Sequence, residues 1–158
     1  MLEPLFDWLF YLVRHFGLPG LFFSSLLIST IFVPFNVEFL FPILLKAGIG
    51  RFPIIVAATV GSLCGTLINY YIGYKGVGLL NKHVKKKDLD KASHIMNEYG
   101  WIGLLAVTVA PILSVDPLTI ICGATRMNIW EFILVVAVGK FLKYAIVLGL
   151  IELLFRMI

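Results

Sequence analysis

Charge is what this sequence has least of. Asp, Glu, Lys and Arg make up 14% of its 158 residues, where soluble domains average about 25%. So few charges cannot solvate a water-facing surface, which excludes an ordinary soluble enzyme. A hydrophobic content of 60% and a mean hydropathy of +0.99 exclude a disordered tail. Cysteine is scarce too. Cys64 and Cys122 lie inside apolar runs without metal-ligand spacing, so they read as small packing residues and exclude a disulfide scaffold. Catalytic signatures are missing: there is no His-x-x-x-His and no Gly-x-Ser-x-Gly, and His15, His83 and His94 read as interfacial side chains. Met1 to Phe16 carries Glu3, Asp7 and Arg14 and lacks a basic n-region with a small-residue cleavage site, so no cleavable signal is expected. The length suits one compact unit. The expectation is a single membrane domain over residues 1–158, all-α and integral to the membrane, not an enzyme, with no metal and no cofactor.

What is present is long apolar runs. A spanning helix needs about 20 residues. Phe52 to Tyr74 carries no charge and fits one crossing, as does Met127 to Ile151 despite Glu131, Lys140 and Lys143. Phe16 to Leu45 and Tyr99 to Thr125 are each long for one crossing and short of the roughly 40 residues that two would need. Prolines interrupt both, and each holds one charge, Glu38 or Asp116. Proline removes a backbone donor and clashes with the preceding turn. Broken backbone at membrane depth is tolerated only inside protein or along a wet cavity. Both runs therefore read as re-entrant hairpins, with Pro34, Asn36, Pro111 and Pro117 as the breakers. The expected segments are an interfacial helix at 2–16, hairpins at 18–47 and 100–125, transmembrane helices at 52–75 and 127–153, and a second interfacial helix at 79–98.

Thirteen Lys+Arg against nine Asp+Glu give a net charge of +4, and the excess is local. Lys75, Lys82, Lys85, Lys86, Lys87 and Lys91 face only Asp88, Asp90 and Glu98 between Lys75 and Glu98. A basic cluster beside an apolar span marks the cytoplasmic side of a cell membrane. Leu80, Val84, Ala92, Ile95 and Met96 recur opposite the lysines, so this segment should lie along the interface. No motif supports nucleic-acid binding. Trp8, Trp101 and Trp130 lie near predicted span ends, as belt tryptophans do. Gly61-x-x-x-Gly65 is a close-packing motif, read here as intramolecular; a homodimer stays open.

The two halves repeat a pattern. Pro34, Glu38 and Ala47-Gly48-Ile49-Gly50-Arg51 precede a span containing Gly73. Pro111, Asp116 and Cys122-Gly123-Ala124-Thr125-Arg126 precede a span containing Gly149. One crossing separates the hairpins, so they should open to opposite faces, giving an inverted-topology repeat of the kind that places a transport site near the midplane.

Ionisable groups at membrane depth cost about 2.5 kcal/mol or more and face a cavity or a partner. Here they are Glu38, Asp116 and Lys140, with Lys143 and Tyr144 on Lys140's helix face. Arg51 and Arg126, at the hairpin exits, can snorkel. Half-helices starting just after Pro34 and Pro117 would aim N-terminal dipoles inward, which favours a phosphate. Arg51, Arg126, Lys140, Lys143 and Tyr144 are then the head-group candidates, and Glu38 and Asp116 the acids placed to carry a proton. The structural alternative is a set of static ion pairs between these acids and Lys140 or Lys143.

Several of these pieces occur together: Pro34-Phe35-Asn36-Val37-Glu38, Ala58-Thr59-Val60-Gly61 running to Asn69-Tyr70-Tyr71-Ile72-Gly73, Tyr99-Gly100, Pro111 to Asp116-Pro117, Cys122 to Arg126, and Gly139-Lys140-Phe141-Leu142-Lys143-Tyr144. As a set, over roughly Ser24 to Val147, they resemble the DedA superfamily, which contains the SNARE-associated Golgi proteins and their VTT domain, and within it the short YqaA-like branch. The resemblance implies two re-entrant hairpins of opposite orientation and movement of lipids between leaflets. Polyprenyl phosphates are implied for bacterial members, often with dependence on proton motive force, and glycerophospholipids for eukaryotic relatives. Better-known members carry an acid where this chain has Thr66, and arginines where it has Thr108 and Ser114. Glu38 carries over as a functional acid, while Asp116, Arg126 and Lys140 belong to the YqaA-like pattern.

The expected function is a flippase or scramblase for phosphate-bearing lipid head groups, such as polyprenyl phosphate or phospholipid, with proton coupling as a separate question. The partners are membrane lipids with anionic phosphate heads. A structural membrane scaffold without transport, or a small-ion or solute transporter, is the alternative.

Overall fold

A computed structural model describes residues 3–30, 36–76, 86–110 and 116–157; the side chains of 3, 86–93, 95, 96, 116 and 117 lie outside the description. Every regular element among the described residues is helical: α1 (Glu3–Phe16), α2 (Leu18–Thr30), a short 3-10 turn (Val37–Leu40) leading into α3 (Phe41–Lys46), α4 (Arg51–Lys75), α5 (Lys86–Val109), α6 (Asp116–Ala124) and α7 (Ile129–Met157). Helices α4 and α7 are long and apolar enough to cross a membrane. Only 33% of the most apolar stretch of α7 is buried. Leu134, Val138, Leu142, Ile146 and Leu150 form an exposed apolar face along it, a surface suited to lipid rather than water.

Glycines decide how the helices meet. Added Cβ atoms on Gly61 and Gly65 would strike the main-chain carbonyls of Phe22 and Leu26, so α2 lies parallel to α4 and almost in backbone contact with it. The Gly61-x-x-x-Gly65 motif is therefore used within the chain. At the other end of α4, Gly73 faces the Ile120 carbonyl and Gly123 faces the Tyr70 carbonyl, so α6 runs antiparallel to α4. Helix α7 is antiparallel to α4 along its whole length: Arg51 meets Glu152, Ser62 meets Lys140 and Tyr144, and Tyr70 packs on Phe132. Thr108 of α5 covers Gly139 of α7.

Two apolar clusters result. One gathers Leu9, Val13, Leu21, Phe41, Leu44, Ile54, Ala58 and Leu148; the other gathers Tyr70, Leu104, Leu118, Cys122, Phe132 and Val136. Each uses opposite ends of α4 and α7. The stretch of both helices between them carries the polar residues.

Two local features bear on the sequence expectation. Pro117 is the second residue of α6, a first-turn position where a missing N–H costs nothing. The paired exits are also not equivalent. Gly48 ends α3 in the left-handed region (φ 79°), with its N–H on Leu45 and that of Ile49 on Leu44. In the second half Arg126 (φ 56°) takes that place, its N–H on Gly123 and that of Met127 on Cys122. Both are Schellman caps, with Gly48 at the left-handed position of one and Arg126 at that of the other, while Gly123 sits inside α6. Gly149 likewise is no counterpart of Gly73, since nothing lies within 4 Å of its Cβ position. Pro34 and Pro111 lie outside the described residues, as do Leu80, His83 and Val84. Gly100 (φ 53°, ψ −131°) breaks α5 between its basic first part and its apolar second part.

Candidate functional site: a buried polar centre between the two long helices

Lys140 sits near the middle of α7 and is 6% exposed. Its ammonium donates to Ser62 Oγ, to the Ser62 carbonyl (3.1 Å) and to Ser29 Oγ (3.4 Å). Tyr144, one turn on, donates its phenol to Ser62 Oγ (3.0 Å), and its ring is held edge-on by Phe41 at 5.5 Å. Ser62 Oγ and Ser29 Oγ are 2.8 Å apart. A hydroxyl has two lone pairs and one proton. With Lys140 and Tyr144 filling both lone pairs of Ser62, its proton goes to Ser29, and the Ser29 proton is left over. Asn69 Nδ2 donates to the Ser29 carbonyl at 2.8 Å, so Ser29 joins two parts of the centre.

Beside this centre is an ion pair. Lys143 Nζ lies 2.8 Å from Glu38 Oε1, with side chains 12% and 10% exposed. Glu38 comes from the 3-10 turn and Lys143 from α7, so the pair ties that turn to the long helix. Oε2 of Glu38 makes no hydrogen bond among the described residues, nor do the buried Ser24 Oγ, Ser25 Oγ, Thr59 Oγ1 and Asn69 Oδ1. Native interiors leave few such groups unpaired. Several of them along α2 and α4 mark a place where water or a ligand fits the chemistry.

The sequence-derived candidates thus divide. Glu38 with Lys143, and Lys140 with Tyr144, come together at this centre. Arg51 pairs with Glu152 at the far end of α4, with side chains 61% and 41% exposed, about 16 Å along the helix from Ser62 at 1.5 Å per residue. Arg126 lies over the Tyr74 ring (5.5 Å) at the opposite end. Neither arginine belongs to the centre. Exposed ion pairs contribute about 0–1 kcal/mol, so Arg51→Gln should lower the thermal midpoint in detergent by no more than about 2–4 °C, the shift that 1 kcal/mol gives a chain of this size. Asp116 is the first residue of α6, where an acid suits the helix dipole; its side chain is outside the description. Asn36 is exposed and extended, its carbonyl accepting from the Phe39 N–H at 3.2 Å. Thr66 and Thr108 use their hydroxyls on carbonyls of their own helices, Ser62 and Leu63 for one and Leu104 for the other.

Sequence reasoning gave Ser29 and Ser62 no role, and Asn69 entered it only as part of a motif and not as a site residue. The signal was there: Thr59, Ser62, Thr66 and Asn69 recur at steps of three and four inside a charge-free span, the spacing of one helix face.

Helical elements throughout the described residues, two of them membrane-compatible with a buried lysine centre between them, define a class of polar-cored membrane proteins. The family model of the VTT domain matches residues 27–153, and the chain belongs to that family, the DedA and SNARE-associated proteins. An uncharacterized protein of Methanocaldococcus jannaschii is 22% identical over 148 residues, covering 93% of this chain and 91% of the relative. No solved structure matches the chain.

Proposed function

We propose that the protein moves phosphate-bearing lipid head groups between leaflets, through a polar path past Lys140, while the lipid tails stay in the bilayer. The observation that carries this reading is the buried Lys140–Ser62–Ser29–Tyr144 cluster, with the Glu38–Lys143 pair beside it, midway along helices long enough to cross a membrane. Charge at that depth is retained where it has a task, and an ammonium among hydroxyls suits a phosphate. Membership of the VTT family supports a transporter-like role.

An inverted repeat is part of the proposal. Ser62 and Lys140 are 78 residues apart in sequence and touch. The same separation relates the left-handed caps Gly48 and Arg126, the first residues of the long helices Arg51 and Ile129, and the helix ends Lys46 and Ala124. It also relates Thr30 and Thr108, which both bond back four residues, the acids Glu38 and Asp116, Gly61 and Gly139, and the buried pairs Leu40 and Leu118 or Ala58 and Val136. A residue that touches its own counterpart lies next to a two-fold axis. The Ser62–Lys140 contact therefore supports a centre shared by both halves, where transporters of inverted repeats bind substrate. On this reading Lys75 to Glu98 faces the cytoplasm.

The test is head-group movement in reconstituted vesicles. Lys140→Met and Glu38→Gln should each slow movement of a phospholipid or a polyprenyl phosphate about tenfold or more, the scale of one charge-assisted bond. Unchanged rates in both variants would remove these residues from the path. A wild-type protein that moves no lipid would leave a scaffold, and ion flux without lipid movement would leave a solute transporter. An imposed pH gradient that changes the rate would add proton coupling to the reading.

A further inference from the structure

The donors and acceptors of the centre do not match a bare phosphate. Ser24, Ser25 and Thr59 offer buried hydroxyls without partners among the described residues, and the Ser29 proton is left over beside Ser62 and Lys140. Phosphate oxygens can take all of these. Asn69 is different. Its neighbour is the Ser29 carbonyl, at 2.8 Å, which can only accept. The amide nitrogen must face that carbonyl, which fixes the amide oxygen on the other side. That oxygen is buried, on a residue 1% exposed, and no donor among the described residues reaches it. Glu38 Oε2 is a second buried acceptor without a donor among the described residues. Phosphate is itself rich in acceptors and has little to give either atom.

We propose that Asn69 is a specificity-determining residue of this site, its amide oxygen accepting a hydrogen bond from a hydroxyl or ammonium group on the lipid head. The site then selects phosphate head groups that carry such a donor over those that carry only phosphate or a fully methylated amine. Ser29 makes the two subsites neighbours. Its hydroxyl belongs to the Lys140 cluster and its carbonyl holds Asn69, so a phosphate near Lys140 and a donor one short linker away can be bound together. The inference rests on the reading that a lipid head group occupies this centre.

Phosphatidylethanolamine and phosphatidylcholine provide the probe, because they share the phosphate and the positive charge and differ in N–H donors. The measurement is thermal stabilisation of the full-length protein in detergent by short-chain forms of each lipid. Wild type should respond to the ethanolamine lipid at about tenfold lower concentration. Asn69→Leu should lose that advantage while its response to the choline lipid stays the same; Asn69→Ala, which also leaves no side-chain acceptor, serves if the leucine variant does not fold. Equal responses in wild type overturn the proposal and leave a trapped water on Asn69. A preference that survives both variants overturns it as well, since methyl bulk alone then explains the choice. Vesicle transport separates the two layers: an ethanolamine preference in binding with no lipid movement keeps Asn69 as the selector and removes the transport reading.

Discussion

Gly123→Ala should leave little folded protein after extraction in mild detergent, while Gly149→Ala behaves as wild type. A Cβ on Gly123 would collide with the Tyr70 carbonyl oxygen, approach its carbon to 2.8 Å and lie 2.9 Å from the Tyr74 nitrogen. All three are backbone atoms, so no rotamer change relieves the clash. Helix α6 would have to move off α4, which would disturb the hydrogen bond from the Tyr70 phenol of α4 to the Met127 carbonyl and the packing of Leu118 and Cys122 against Tyr70 and Phe132. Overpacking usually costs about 1–3 kcal/mol, and more where backbone must shift; the upper end is expected here, and Gly73→Ala should match it from the other helix. Nothing lies within 4 Å of the Gly149 position, so alanine there should be neutral or stabilising by up to about 1 kcal/mol through helix propensity. Thermal unfolding followed by size-exclusion chromatography measures both. A Gly123→Ala protein as stable as wild type would show that α4 and α6 do not approach to backbone contact.

The second large effect is expected at the ion pair. Lys143→Met leaves the Glu38 carboxylate buried without its cation, which typically costs about 3–5 kcal/mol. The double variant Glu38→Gln/Lys143→Met removes both charges and should recover most of that loss, because a neutral pair has no uncompensated charge to bury. The double-mutant cycle reports the coupling directly. Transport in the double variant then separates the two roles given to Glu38. Retained movement of lipid makes the pair a static tie between the 3-10 turn and α7, whereas a stable but inactive double variant makes the carboxylate part of the path. A Lys143→Met protein of undiminished stability would mean that water solvates Glu38.

The deep charges are legible in the sequence alone. Glu38, Lys140 and Lys143 stand out because charge in an apolar run has a high cost and few explanations. Tyr144 follows from helix spacing. The two arginines are equally conspicuous, yet Arg51 and Arg126 end at opposite extremities of the long helices; sequence gives a residue's depth along its own helix but not which neighbours it meets. Ser29, Ser62 and Asn69 are inconspicuous for the opposite reason. Serine inside an apolar helix is also a common small packing residue, and its role depends on what lies across the interface. The recurring glycines are legible in the sequence but their roles are not, because a glycine can cap a helix, as Gly48 does, or admit a neighbouring backbone, as Gly123 does.

Composition and run length by themselves determined that this chain is helical and suited to a membrane, since 14% charge cannot solvate a surface and isolated backbone in lipid must satisfy its own hydrogen bonds. Which polar groups share one buried centre was decided only by tertiary structure. The close approach of α2 and α6 to α4 at glycines sets how the helices cross, and that crossing puts Lys140 on Ser62, a contact between residues 78 apart that no local spacing can encode.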